Sequence, residues 1–302
     1  MFIFLTAVSA GLTSAAPLAL AALGFTLQFS VANLFNIAFG ALMTLGAFFA
    51  YATNVAGPDI WVSAAIAALG IALVTVILGK LIYRPFVQRA RRFGQGVEAA
   101  VILVSFGVSV IIQYSVGAIW GDASTVNYRL GFSPAVVSVN GFYLTWVGIA
   151  SVGVAAVLCV ALAVLLRLTQ LGRAMRATAG NESLARACGI PVERILDACW
   201  LVSGAFCGLA GVLLVLDIGS LTTGTGSNEL LIIMAAAIVG GIGSPLGAVV
   251  GALIVSIGSE IAAAYLSPNL KYVYAFALLC LVLLFRPAGV LGSAARRKGV
   301  AR

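Results

Sequence analysis

The sequence contains no histidine. That removes the commonest acid–base side chain near neutral pH and the commonest zinc ligand. Charge is scarce as well: 9% of the 302 residues are Asp, Glu, Lys or Arg, against about 25% in soluble domains. The three lysines are Lys80, Lys271 and Lys298, and none follows a G-x-x-x-x-G run, so the chain has no phosphate loop for ATP. H-E-x-x-H and G-x-S-x-G are absent, which leaves no metallohydrolase or serine-hydrolase signature. The five cysteines, Cys159, Cys188, Cys199, Cys207 and Cys280, include no C-x-x-C pair. Four of them lie in apolar runs and read as small buried hydrophobes.

What is abundant is apolar: 62% of the chain is hydrophobic, in runs that recur along its whole length. About 20 apolar residues cross a bilayer as a helix, and the alternating segments of a β-barrel are missing. The pattern predicts an all-α polytopic membrane helical bundle, one transmembrane domain over 1–302. Its expected spans are 2–27, 34–51, 60–82, 98–120, 141–166, 196–216, 229–241, 246–265 and 272–285. Segment 229–241 is short for a crossing and ends in Gly240-Gly241-Ile242-Gly243-Ser244-Pro245, so the count is eight or nine. The first segment lacks a basic leader and reads as a retained span. Residues 28–33 read as a polar break, and 217–228 (DIGSLTTGTGSN) as a flexible polar loop. Gly-Ala pairs at 40–41, 46–47, 247–248 and 251–252 fit either a diverged repeat or ordinary small-residue packing.

Fifteen of the 17 Lys and Arg fall in three segments, 80–96, 167–194 and 286–302; only Arg129 and Lys271 lie elsewhere. The net charge of +8 is therefore a topology signal rather than a nucleic-acid one. By the positive-inside rule it puts the loop 167–195 and the tail 286–302 in the cytoplasm. Acids in or beside the spans are few. Glu98 and Asp197 sit at the basic side, Asp217 and Glu229 at the other, and Glu260 lies in the span 246–265. An ion-coupled carrier places acids near the midplane, and Glu260 is the nearest candidate.

Within the basic loop, LGRAMRATAGNESLARACGIPVERI (171–195) carries helix signals. Asn181 is an N-cap residue, Glu182 suits a helix N-terminus, Gly189 can close a helix and Pro191 cannot continue one. The enclosed helix, 182–188, brings Leu184, Ala187 and Cys188 onto one face. A helix this short is unstable alone, so it must dock, on its own domain or on a partner.

The run GRAMRATAGNESLARACGI (172–190) resembles the cytoplasmic coupling loop of bacterial ABC-transporter permeases for branched-chain amino acids, ribose and related solutes. GTGSNELLIIMAAAIVGGIGSPLGAVVGAL (224–253) and FRPAGVLG (285–292) fit the same family, and ANLFNIAFGALMTLGAFFAY (32–51) looks like the H-type subunit of the branched-chain amino acid system. The resemblance covers most of the chain and implies an ABC importer permease in a bacterial inner membrane, working by alternating access. It implies a heterodimer with an M-type permease, two cytoplasmic ATPase subunits that bind the ATP, and an extracytoplasmic solute-binding protein. No cofactor belongs to this chain, its surroundings are lipid, and nothing points to nucleic acid. Carried over by position, Gly180, Asn181, Glu182, Ala185, Gly189 and Ile190 form the interface with the ATPase. Asn36, Gly40, Gly240, Gly241 and Gly243 are the candidates for the translocation route, since broken, glycine-rich backbone is tolerated at membrane depth only where protein or water covers it. One departure matters: the family's N-F-A-H-G reads N-I-A-F-G here, so Phe39 replaces a histidine. The expected solutes are branched-chain or related hydrophobic amino acids. A sugar, amide or urea permease, an ion-coupled carrier using Glu260 and a non-transporting scaffold stay open as rivals.

Overall fold

Each of the nine apolar stretches folds as a helix. A computed structural model describes residues 2–92, 97–121, 136–139, 142–241 and 243–292. Along the chain run α1 (Phe2–Ala32), α2 (Ala38–Val55), α3 (Ile60–Leu78), a π-helical turn (Gly79–Tyr83), α4 (Arg84–Arg92) and α5 (Val97–Trp120). A short antiparallel pair follows, β1 (Val136–Val139) and β2 (Phe142–Thr145), in the register Val136 to Thr145. Then come α6 (Trp146–Leu168), α7 (Gln170–Gly180), α8 (Glu182–Ala187), α9 (Val192–Ile218), α10 (Thr225–Gly240), α11 (Pro245–Tyr265), a 3-10 turn (Pro268–Leu270) and α12 (Lys271–Phe285). Among the described residues eight helices are long and apolar enough to cross a membrane, and α10 is a shorter apolar one.

In lipid, apolarity alone does not draw helices together; small residues and interhelical hydrogen bonds do. Both devices hold this bundle around α1 and α9. Gly46 on α2 meets Gly208 of α9 so closely that an added Cβ would stand 2.7 Å from the Gly208 Cα. Thr75 on α3 donates its hydroxyl to the Trp200 carbonyl of α9 at 2.9 Å. Ser256 on α11 donates to the Gly11 carbonyl of α1 at 2.8 Å. Large side chains such as Leu20, Leu23 and Leu213 fill what remains of the interior. At the rim, α5, α6 and α12 turn Leu103, Val157 and Leu284 outward, as lipid-facing helices do.

The two ends of the bundle differ in charge. Lys80 and Arg84 reach Asp197, Arg186 reaches Glu193, and Arg167, Arg176 and Arg286 line one cavity beside the C-terminal end of α1. The three basic segments thus meet at one end. At the other, Lys271 is paired with Glu260, and Ser14 donates to Asp217 at 2.7 Å. Arg129, Tyr128, most of the loop 121–140 and the tail 293–302 with Arg296, Arg297, Lys298 and Arg302 lie outside the described residues.

Several expectations need correction. α1 runs through the expected break to Ala32, and the chain turns instead at 33–37, where Asn33 adopts φ 53°. Span 141–166 becomes a helix only at Trp146, because Phe142–Thr145 pairs as a strand and the Thr145 hydroxyl caps α6 by accepting the Gly148 amide at 3.0 Å. The 217–228 segment is no free loop. α9 runs on through Asp217 to Ile218, α10 begins at Thr225, and between them Leu221 is fully buried against α2, α5 and α9. The Thr44 hydroxyl of α2 accepts the Gly226 amide at 2.9 Å and fixes that return. With 16 residues α10 is about 24 Å long. Of the cysteines, Cys199 and Cys207 are buried and Cys159 is half-buried, but Cys280 is exposed on the rim helix α12 along with Cys188 on the loop.

Candidate functional site

The basic end is built from short, individually capped pieces. Thr169 ends α6 and caps α7 by accepting the Gly172 amide at 3.1 Å. Gly172 lies against the Leu165 and Leu166 carbonyls, which holds α7 tightly under α6. Asn181 then serves twice, as the last cap of α7 and as the N-cap of α8, its side-chain carbonyl accepting the Leu184 amide at 3.0 Å. α8 closes in a Schellman motif: the Ile190 amide donates to the Ala185 carbonyl, the Gly189 amide donates to the Arg186 carbonyl, both at 3.0 Å, and Gly189 sits at φ 80°. Glu182 and Arg186 form an i,i+4 pair at 3.0 Å. The helix α7 was not expected; its signal was there, because Leu171, Met175 and Thr178 form a half-buried to buried stripe at helical spacing.

α8 buries one side chain, Ala185, against its own domain. Ala185 is 4% exposed, while Leu184 is 60% exposed and Ala187 and Cys188 are also open. The expected apolar face therefore points away from the bundle. Gly180 is exposed with nothing within 4 Å of where a Cβ would stand, and Ile190 is half-buried.

An ion-pair chain runs from this helix into the bundle. Arg186 reaches both Glu182 and Glu193. Arg84 donates to the Glu193 carbonyl at 2.8 Å, stands 3.7 Å from its carboxylate and binds Asp197, which Lys80 also approaches at 3.4 Å. Arg84 follows the π turn, and Tyr83 of that turn stacks on Trp200 at 5.0 Å. Tyr83 donates its hydroxyl to the Asn36 side-chain carbonyl at 2.8 Å; Asn36 also accepts the Ala38 amide and donates to Gln28. α8 and the α1–α2 break are thus joined through Arg186, Glu193, Arg84 and Tyr83. Sequence reasoning singled out Asn36 and missed the other members, whose partners lie far off in the chain.

The remaining route candidates mark close backbone approaches. Gly40 faces the Gly226 carbonyl at a would-be Cβ distance of 2.7 Å, and Gly240 packs on the Gly247 carbonyl. Gly241, at φ 107°, faces Gly292, and Gly243 lines a cavity. The segment after α12 folds beneath α10: the amides of Val290 and Leu291 donate to the Val239 and Gly240 carbonyls at 2.8 and 3.1 Å, satisfying the free carbonyls of a helix C-terminus. This contact is the physical content of the F-R-P-A-G-V-L-G run. Among the described residues, the basic end holds a cavity of about 920 Å³ between α1, α6, α7, α10 and α12 and another of about 720 Å³ between the α1–α2 break, α4, α5 and α7. Phe39 lines neither; its ring is 1% exposed and stands edge-on to Phe25 at 5.8 Å.

The family model described as branched-chain amino acid transport system / permease component matches residues 7–283. The high-affinity branched-chain amino acid transport system permease protein LivH of Escherichia coli K12 is 28% identical over 309 aligned residues, covering 96% of each chain. BraD of Pseudomonas aeruginosa, which carries the same description, is 28% identical over 93% of this chain and 94% of its own. A probable branched-chain amino acid transport permease protein LivH of Methanocaldococcus jannaschii is 29% identical over 91% and 88%. No solved structure matches.

Proposed function

The chain belongs to the family of permease components of branched-chain amino acid transport systems, and from that premise we propose that it carries branched-chain or related hydrophobic amino acids inward. As a member it is a multi-pass membrane permease subunit of an ABC transporter, with the ATPase in partner subunits, and not itself an enzyme. In the proposed assembly it pairs with a second, different permease, two ATPase subunits grip the basic end, and a solute-binding protein delivers cargo to the opposite end. The basic end and the C-terminus face the cytoplasm, in keeping with the charge bias.

The observation that carries this reading is the open face of α8. Leu184, Ala187 and Cys188 are exposed, and a six-residue helix needs a partner surface to hold it. Gly180, Asn181, Glu182, Ala185, Gly189 and Ile190 frame that contact. ATP-driven closure of the ATPases would push α8, and the Arg186–Glu193–Arg84 chain would pass the push to Tyr83 and Asn36. Asn36 and Gly40 at the α1–α2 break and Gly240, Gly241 and Gly243 at the α10–α11 turn are the joints proposed to move as the route opens. A conformational shift of this kind needs differential contacts in the two states, and ion pairs between separately moving pieces supply them.

The test is uptake into proteoliposomes holding the chain, a second permease, the ATPases and the solute-binding protein. Labelled leucine is chased with unlabelled isoleucine, valine, ribose, acetamide and urea. ATP-dependent leucine uptake displaced by isoleucine and valine is the expected result. Displacement by ribose, acetamide or urea alone would replace the solute class, and uptake without ATPases would remove the mechanism.

A further inference from the structure

We propose that the larger cavity at the basic end is a binding site for the headgroup and upper acyl chain of an anionic phospholipid. Three guanidinium groups line it, those of Arg167 on α6, Arg176 on α7 and Arg286 after α12. Among the described residues none that lines it is acidic, and no carboxylate pairs with any of the three. Of the acids whose side chains are described at the basic end, Glu182, Glu193 and Asp197 pair with Arg186, Arg84 and Lys80. Three like charges converging on one cavity repel each other, and an anion relieves that repulsion. Guanidinium groups match phosphate oxygens in paired hydrogen bonds. Basic pockets between membrane helices on this side are suited to anionic headgroups.

The rest of the wall is apolar, with Leu27, Val31, Ile238 and Phe285 among its members. At about 920 Å³ the space is near the upper end of the roughly 300–1,000 Å³ usual for small-molecule sites, ample for a headgroup with part of a chain. Its two flanks belong to rim helices. Val164 and Leu168 on α6 and Leu281 and Leu284 on α12 are exposed, so an acyl chain reaches the cavity from the membrane between them. A soluble phosphate compound would satisfy the arginines but leave the apolar wall uncovered. The inference does not depend on which solute is transported.

The experiment uses the assembled, delipidated transporter in detergent, titrated with dioleoylphosphatidylglycerol, with dioleoylphosphatidylcholine and with inorganic phosphate, and reads thermal unfolding and bound lipid by native mass spectrometry. Phosphatidylglycerol should raise the melting temperature saturably, and the other two should not. Arg167→Gln and Arg286→Gln should each weaken phosphatidylglycerol binding roughly fivefold, the worth of one surface arginine toward an anionic lipid. Arg176→Gln and Arg286→Gln are weaker tests alone, because Arg176 also donates to the Leu166 carbonyl and Arg286 to the Val290 carbonyl at 3.3 Å. Arg167 has no such bond to lose among the described residues, so a lipid-free Arg167→Gln complex with unaltered melting keeps the measurement interpretable. Equal stabilisation by inorganic phosphate would make this a free-anion site, and equal stabilisation by phosphatidylcholine would deny the arginines a role. No lipid effect in the assembled complex would hand the cavity to a protein partner. Each of these three results overturns the proposal.

Discussion

Tyr83 and Asn36, 47 positions apart, share a fully buried hydrogen bond of 2.8 Å from the tyrosine hydroxyl to the asparagine side-chain carbonyl. It ties the π turn after α3 to the break between α1 and α2. That turn is where the helix departs from regular winding, and such single-turn π segments are recurrent at sites of function. Tyr83→Phe removes the donor, but the Asn36 carbonyl keeps the Ala38 amide. The expected cost is therefore modest, about 1–2 kcal/mol, read as a lower melting temperature in detergent. Transport should fall by more than this stability loss accounts for, since the bond lies on the path from α8.

The α2–α9 contact gives a sharper, purely structural expectation. A Cβ at Gly211 would collide with the Met43 carbonyl, which is rigid backbone, whereas Gly153 on the rim helix α6 has nothing within 4 Å. Gly211→Ala should sharply reduce the yield of folded protein. Gly153→Ala should leave yield and melting unchanged or slightly improved, as alanine is the better helix former. Equal behaviour of the two variants would refute the close approach.

Much of the loop 167–195 was legible because caps are local. Asn181, Gly189 and Pro191 mark the ends of α8 within a few residues of one another, and the backbone follows them. Its face was read correctly as apolar, but whether that face is covered depends on partners and could not be read. α7 was overlooked because its arginines masked a short buried stripe. The unwound segment before α10 looked like a loose loop, since what captures it is Thr44, 182 positions away. The Arg84–Asp197 pair was equally invisible: each residue reads locally as a topology or span-end charge. Phe39 raised a question about the solute route that its place against Phe25 in the core answers only as packing.

If α8 delivers force to an ATPase, changing its open face should stop transport without unfolding anything. Leu184→Glu alters a side chain that is 60% exposed, so melting should stay within about 0.5 kcal/mol of the parent. Leucine uptake, and co-purification of the ATPase subunits, should drop at least several-fold. Asn181→Ala acts differently: loss of the cap should loosen α8 by about 1 kcal/mol and weaken coupling partially. Undiminished uptake in the Leu184 variant would mean that α8 merely packs on its own bundle.

Arg84 offers a way to separate coupling from assembly. Its side chain is 21% exposed and binds both Asp197 and Glu193. Arg84→Gln should cost about 1.5–3 kcal/mol, the range for hydrogen bonds to charged groups. Lys80 remains 3.4 Å from Asp197 and keeps that carboxylate from standing alone. With the ATPases still bound, ATP hydrolysis should continue while uptake per ATP falls. A variant with hydrolysis and uptake reduced in proportion would show that Arg84 only stabilises the fold.

Glu260 decides between an ATP-driven permease and an ion-coupled carrier. It is the acid in α11 nearest to a transport role on sequence grounds, yet its carboxylate is already engaged by Lys271. A proton- or ion-coupling acid must exchange its bound cation during each cycle, whereas one held by a lysine of the neighbouring helix serves as a tie between α11 and α12. The pair is partly open, with side-chain exposures of 19% for Glu260 and 37% for Lys271. Glu260→Gln should therefore leave ATP-dependent uptake largely intact, and an imposed proton or sodium gradient should drive none in either form. Lys271→Met should be the more harmful change, because it leaves Glu260 unpaired close to Asp217 and Glu229 at the far end of the bundle. The double variant Glu260→Gln/Lys271→Met should recover part of that loss, as expected when an orphaned charge rather than the missing bond is the main cost. Abolished uptake in Glu260→Gln, with no recovery in the double variant, would return the carrier mechanism to consideration.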